Sequence, residues 1–336
     1  MPSDLIPRAR LDALLAAARG KHVVVVGDAM LDVYLRGDVD RISPEAPVPV
    51  VRVTDRKYAL GGAANVAQNV IAAGARVDLI AAVGNDEPAK QIRDMLRALG
   101  ADSGGLIATD RPTTTKTRVV ARSQQLLRVD EERDDDLTDA DVERAAAAAL
   151  KAIGAADALV LEDYNKGVLV ESLITRLVAA ARTRKIPVVV DPKYKNFFAY
   201  TGATVFKPNR RELESALGAA VDVDHDATLP AVVERLGVES LLLTLSERGM
   251  ALVERGSSGS QRVHRIPTTA RDVYDVVGAG DTVTAYLATM LAAGATPLEA
   301  AVIANFAAGV EVGKSGAATV APAEILAAFD HHSANG

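Results

Sequence analysis

The sequence predicts an α/β protein: a mostly parallel central sheet, helices on both of its faces, and a small additional β-layer. Two observations predict the sheet. Short β-branched runs alternate with Ala-rich helical stretches, and the runs are continuously apolar, as strands covered on both faces must be. A third observation predicts the extra layer, because two segments alternate in polarity and break the βα rhythm.

The elements follow in order along the chain. Residues 1–21 hold no long apolar stretch and read as an amphipathic helix, not a leader peptide. Val23 to Val26 forms the first strand and ends in Gly27-Asp28. Arg41 to Val53 and Thr113 to Asp130 read as extended, the second folding back as a hairpin through Arg122 to Gln125. Segments 37–54 and 112–131 are therefore expected to form a lid on a single domain spanning residues 1–336. Val77 to Val83 ends in Gly84-Asn85-Asp86. Thr138 to Asp141 resembles a capping box that opens a helix through Lys151, with Gly154 as its stop. Leu159 to Leu161 ends in Glu162-Asp163-Tyr164, Ile186 to Val190 in Asp191-Pro192, Thr204 to Phe206 in Lys207-Pro208-Asn209, and Leu241 to Leu245 in Ser246-Glu247. Open α/β sheets bind ligands beyond the carboxyl ends of their strands, so these polar ends are where a site is expected. Residues 331–336 read as a frayed tail carrying two solvated histidines.

Composition narrows the function. Forty-nine per cent of the 336 residues are hydrophobic, enough for a large core and too many for a disordered chain. A formal charge of −6, from 38 basic and 44 acidic residues, argues against a general nucleic-acid binder. The chain has no cysteine, which excludes disulfides, thiolate catalysis and Cys-ligated metals. No apolar run approaches the ~20 residues that span a bilayer, so a cytoplasmic protein without membrane or nucleic-acid partners is expected.

One motif carries chemistry. Gly278, Ala279 and Gly280 precede Asp281 at the start of a strong helical pattern. Small residues there let backbone amides approach an anion, and the helix start adds its positive dipole end. Read alone, Asp281 is either a cap for that helix or a base that takes a proton from a hydroxyl attacking a phosphoryl group. Two other phosphate motifs are excluded. A dinucleotide fingerprint needs Gly or Ala where Val283 stands. Gly309 and Gly313 before Lys314 are one residue too close for a P-loop and follow a helical pattern, which leaves Lys314 as a surface residue.

Three motifs in order, Gly61-Gly62-Ala63-Ala64-Asn65, Asn209-Arg210-Arg211-Glu212 and Gly278-Ala279-Gly280-Asp281, give the chain a resemblance to the ribokinase-like (PfkB) sugar kinases across nearly its whole length. The first motif is a residue shorter than the form common in that family. Residues 27–34, 41–50, 61–66, 162–167 and 191–193 further resemble the bacterial heptose-7-phosphate kinases, which make heptose 1,7-bisphosphate for lipopolysaccharide core. Some of those are fused to an adenylyltransferase with an H-x-G-H signature. Nothing of that kind stands around the five histidines here, so a stand-alone kinase is expected.

The resemblance implies a ribokinase-like fold, ATP and Mg²⁺ as cofactors, and in-line transfer to O1 of the sugar phosphate. It implies Asp281 as general base, with the amides of Gly278, Ala279 and Gly280 as the anion hole. Asp32, Gly61, Gly62 and Asn65 are expected at the sugar, while Asp28 is read as structural. Lys116 and Arg118, sharing one strand face, are expected to hold the substrate's phosphate, with solvated edge cations as the alternative. Lys193, Asn209, Glu212, Thr244, Ser246, Gly249 and Asn305 are expected around the nucleotide, with Glu212 serving Mg²⁺ through water. Glu212 reads alternatively as a first-turn helix residue, and Asn305 as a buried amide bonded to backbone. In some relatives a monovalent cation binds backbone carbonyls near the positions of Asp275 and Val277, which brings K⁺ into view. Such lids often pair between subunits, so a homodimer through the lid is expected. The competing readings are a kinase of ribose, adenosine or fructose phosphate, and a sugar-phosphate-binding regulator without catalysis.

Overall fold

A computed structural model describes residues 2–122, 124–225, 227–255 and 261–334. The chain opens with α1 (Arg8–Ala17), β1 (His22–Gly27), β2 (Ala29–Ile42), β3 (Pro49–Gly62), α2 (Ala63–Ala72), β4 (Arg76–Val83) and α3 (Glu87–Ala98). It continues through β5 (Leu106–Ala108), β6 (Thr115–Ala121), β7 (Gln124–Glu131), α4 (Asp139–Ile153), β8 (Ala158–Glu162), α5 (Glu171–Arg184), β9 (Val188–Asp191) and β10 (Val205–Phe206). The last part holds α6 (Arg210–Leu217), α7 (Thr228–Leu236), β11 (Ser240–Thr244), β12 (Met250–Arg255), β13 (Gln261–Ile266), α8 (Ala279–Ala292), α9 (Pro297–Glu311) and α10 (Pro322–Ala334).

Among the described residues, nine strands form the main sheet in the order β13-β12-β11-β10-β9-β8-β1-β4-β5. β5 through β11 in that order pair in parallel, and only β12 and β13 join antiparallel at one edge. The valines of β1 explain why its run is unbroken. Val23 and Val25 enter the core beneath α1, α2, α8 and α9, while Val24 and Val26 enter the core beneath α4 and α5. Alternation along a strand thus serves two apolar layers, and no position faces water.

A second sheet of four strands, in the order β3-β2-β6-β7, is the additional β-layer that the sequence reading expects as a lid. Its strands run beyond the expected segments, since β2 starts at Ala29 and β3 ends at Gly62. Residues 43–48 of the expected extended segment form a turn instead, closed by the Ser43 amide donating to the Val48 carbonyl at 2.8 Å. Pro44 and Pro47 have no amide hydrogen to give a ladder, which ends the pairing there. The hairpin between β6 and β7 is present, with Arg122 exposed in a left-handed turn conformation, while Ser123 of that turn lies outside the described residues.

The carboxyl end departs from the expected tail. α10 stays helical through Ala334, with Phe329 buried and the His332 ring edge-on to Phe306 at 5.6 Å. Apolar burial beneath the helix holds residues whose polarity alone suggests fraying. Asn335 and Gly336 lie outside the described residues. Lys314 is half-sheltered, bonded to the Thr319 carbonyl at 2.8 Å and to Glu324 at 2.6 Å. No helix among the described residues is long and apolar enough to cross a membrane.

Candidate active site

The strand ends and the start of α8 converge on a cavity of about 520 Å³. Lys193, Asn209, Glu212, Thr244, Ser246, Gly249, Ala279, Gly280 and Asn305 all line it, so the expected nucleotide residues come together. Asn209 caps α6 in a full capping box. Its side chain accepts the Glu212 amide, and Glu212 Oε2 accepts the Asn209 amide, each at 2.9 Å. The other Glu212 oxygen meets Lys193, whose ammonium also lies 5.3 Å from the centre of the Tyr164 ring. Asn305 lines the cavity and donates to the Pro267 carbonyl at 2.8 Å, the backbone-bonded setting that was its alternative reading.

α8 begins after Gly278, which sits at φ 94°. The first amides of a helix have no partner within it, so those of Ala279 and Gly280 stand at the cavity wall. Ala279 makes only a long contact, 3.4 Å, to the Val276 carbonyl. Asp281 follows in the first turn and is buried. Asn65 Nδ2 donates to one of its oxygens at 2.6 Å, and the Tyr164 hydroxyl donates to the other at 2.8 Å. Burial pushes the Asp281 carboxyl up to about 6, against the pull of these two hydrogen bonds, and neighbouring Asp191 adds to the rise. Burial and Asp281 push the Tyr164 phenol well up, so it stays a donor.

The expected sugar residues lie on the lid side of Asp281. Gly62 takes φ 56° between β3 and α2, where a β-carbon would stand 2.4 Å from the Asp28 carbonyl and 3.5 Å from the Tyr164 ring. Gly61 faces Met30 and the Asp32 carboxylate. Asn65 is bonded to Asp281, with Gln68 donating to its oxygen at 2.5 Å. Asp32 is paired with Arg118, whose guanidinium stacks 5.3 Å from the Tyr34 ring centre. Lys116 lies beside Asp32 in the β2–β6 register and contacts Asp130 at 3.1 Å and Glu132 at 2.8 Å. Neither cation is a solvated edge residue, since their side chains are 16% and 14% exposed. Asp28 is structural, as expected: its carboxylate accepts the amides of Tyr164, Lys166 and Val168 and so fixes the loop after β8.

Four side chains escaped the residue-by-residue reading. Tyr164 touches Asp281. Glu162 is fully buried and neither of its carboxylate oxygens has a partner. Donor oxygens of Glu162, Asp191 and Asp281 lie within 4.8 Å of one another. Lys207 meets Asp191 at 2.7 Å beneath them, and burial together with the other two carboxylates holds the Glu162 carboxyl well above its usual range. An orphaned buried carboxylate beside a second one is the donor set that a hard divalent cation takes. All four stand at the ends of parallel strands, which was the available signal. Asp275 joins two loops here by accepting the amides of Val277 and Gly316, each at 3.0 Å.

The sequence pattern of the pfkB family carbohydrate kinases matches residues 20–324. The bifunctional protein HldE of Rhodospirillum rubrum is 45% identical over 325 residues, covering 96% of this chain and 65% of its own length. That of Geobacter sulfurreducens is 44% identical over 330 residues, covering 96% and 66%. The chain thus spans about two thirds of the length of these relatives. Among solved structures, Arabidopsis thaliana ribokinase complexed with ribose and ATP superposes with a TM-score of 0.71 at 20% identity, over 92% of this chain and 99% of that one. Escherichia coli phosphofructokinase-2 in complex with potassium gives 0.76 at 18% identity, over 94% and 99%. The fold is therefore ribokinase-like, and the chain belongs to the pfkB family of carbohydrate kinases.

Proposed function

We propose that the protein transfers the γ-phosphoryl group of ATP to the O1 hydroxyl of D-glycero-D-manno-heptose 7-phosphate, giving the 1,7-bisphosphate used to build nucleotide-activated heptose. The observation that carries this reading is Asp281: a buried carboxylate held by Asn65 of α2 and by Tyr164, which itself lines the cavity. The narrower resemblance in residues 27–34, 41–50 and 162–167, and the 45% identity to a bifunctional HldE protein, support heptose as the sugar.

Asp281 takes the proton of O1. The oxygen forms its bond to the γ-phosphorus as the bond to the bridging β-oxygen breaks, and ADP leaves with that electron pair. Amides at the start of α8 face the charge on the transferring group. Asn65 and Tyr164 hold Asp281 in one orientation, so little reorganisation is left for the reaction. Lys193 and Asn209 take the nucleotide phosphates, while Asp32, Gly61 and Gly62 seat the sugar. Lys116 and Arg118 supply the cations that a substrate with a remote phosphate needs. Glu162 and Asp191, with Glu212 through water, would hold Mg²⁺, which when bound neutralises charge on the nucleotide. K⁺ belongs to the same reading at the loops joined by Asp275. The lid closes over the sugar and excludes water that would otherwise hydrolyse ATP. A cytoplasmic location follows from the use of ATP.

The test is direct. The protein is incubated with MgATP and a panel of pentose, hexose and heptose phosphates and their unphosphorylated forms, and the products are identified. Heptose 1,7-bisphosphate is expected as the preferred product. Preference for ribose, adenosine or fructose phosphate would replace heptose with that substrate, and absence of any transfer would leave a binding protein.

A further inference from the structure

A second cation stands opposite Lys116 and belongs to the main sheet, not to the lid. Lys166 follows β8 in the same loop as Tyr164, and Asp28 anchors its backbone by accepting its amide at 2.9 Å. Its ammonium reaches Glu132, just past the end of β7. Glu132 gives one oxygen to each lysine: Oε1 to Lys166 and Oε2 to Lys116, both at 2.8 Å. Both lysine side chains are 16% exposed, so this is a sheltered seat between the lid and the body.

We propose that Lys116 and Lys166 form the seat for the remote phosphate of the sugar substrate, and that the Glu132 carboxylate fills it until that phosphate displaces it. The inference rests on the reading of the substrate as a phosphorylated sugar.

Three features support the assignment. The first is position. Lys116 lies beside Asp32 across the β2–β6 register, and Lys166 is two residues from Tyr164, which touches the base. The seat therefore adjoins the sugar residues. The second is charge. The two ammonium groups share the single charge of Glu132, whereas a phosphate dianion brings two charges and more acceptor oxygens to the same pair. Asp130, the other carboxylate on Lys116, already holds Arg128 in a two-pronged contact at 2.9 and 3.0 Å. The third is freedom to move. The β6–β7 ladder ends with Thr115 opposite Glu131, so Glu132 lies outside it and can swing away without breaking strand pairing. Arg118 is held by Asp32 and lies beside the Tyr34 ring, and Lys166 adds a further cation to the two already placed at that phosphate. A sugar lacking the phosphate leaves Glu132 in place, so the device selects substrate.

The experiment compares kcat/KM for heptose 7-phosphate with that for the unphosphorylated heptose. In Lys166→Met this ratio is expected to fall at least tenfold, and in Lys166→Arg to stay within a few-fold of the parent. Glu132→Gln is expected to lower the KM for heptose 7-phosphate several-fold, because the competing charge is gone. An unchanged ratio in Lys166→Met, or a raised KM in Glu132→Gln, would overturn the proposal; the latter makes Glu132 a support for the lysines. If the parent enzyme does not turn over heptose 7-phosphate, the function reading has failed, and the seat is then judged by calorimetry with inorganic phosphate. Phosphate binding lost in Lys166→Met and strengthened in Glu132→Gln upholds the seat. Binding that is absent, or indifferent to both changes, refutes it.

Discussion

A buried carboxylate is a costly group to keep charged, and the proton-accepting role proposed for Asp281 is one reason to keep it. Burial raises its affinity for a proton, which is what a base needs, while the Asn65 and Tyr164 hydrogen bonds stop the rise near 6. Replacing it, as Asp281→Asn, is expected to lower kcat by about 10²–10⁴-fold with ATP still bound, as measured by turnover and nucleotide titration. The pH dependence has a definite sign. In the proposed role Asp281 works only when deprotonated, so kcat/KM should be flat above its pKa and fall as pH drops through about 6. Stability runs the other way. The folded protein binds this proton more tightly than the unfolded chain, so between the ordinary carboxyl range and about 6 stability falls as pH rises. Asp281→Asn should therefore melt above the parent at pH 8, and the gap should close toward pH 4, read by calorimetry. Asp281 was legible in the sequence because small residues and a helix start mark an anion site locally. Tyr164 was not, because its role depends on the end of β8 meeting the start of α8, more than a hundred residues later. Lys116 and Arg118 were legible as one face by the two-residue period of a strand, but their carboxylate partners come from other strands and carry no local mark.

At the scale of elements, the start of α8 is where backbone shape becomes chemistry. Gly278 holds φ 94°, and a β-carbon there would stand 3.0 Å from Asn65 Nδ2, the atom that holds the base. Gly278→Ala is expected to cost about 1–2 kcal/mol from the left-handed conformation alone. It should also lower kcat more than it raises the KM for ATP, since Asn65 must shift while Lys193, Asn209 and Thr244 stay in place. Steady-state kinetics beside a denaturant titration separates the two effects, and an unchanged kcat would remove Asn65 from the machinery. The main strands were legible because burial on both faces leaves no polar position, as Val23 to Val26 show. The helix from Asp139 to Ile153 was legible from its cap and its glycine stop. The 43–48 turn and the last turns of α10 were not. Two prolines in an otherwise β-favouring stretch interrupt pairing without altering its apolar rhythm, and packing of Phe329 and His332 against α9 overrides the polarity of the terminal residues.

For the whole molecule, the lid raises a question of exposure. Ile42, Val48, Val53, Leu127 and Val129 are each between 44% and 61% exposed, and all belong to the lid sheet or its turn. Leu127 and Val129 pair with Val119 and Thr117, on the face opposite Lys116 and Arg118. One face of this sheet thus carries Lys116 and Arg118 while the other carries apolar side chains into water. A monomer gains nothing from that arrangement, and apolar patches on open sheets invite a partner. We propose that two lids pack by these apolar faces in a homodimer, which stiffens each lid over its own sugar site. Small-angle scattering at micromolar concentration is expected to give twice the chain mass. Leu127→Lys combined with Val129→Lys should return the mass of one chain, because two buried charges per lid cannot be matched across a twofold interface. The same double variant should raise the KM for the sugar several-fold and that for ATP little, since the nucleotide cavity is built from the main sheet and α8. A wild-type protein that scatters as a monomer, or a double variant that remains dimeric, would leave the apolar face without this role and the lid closing without help from a second chain.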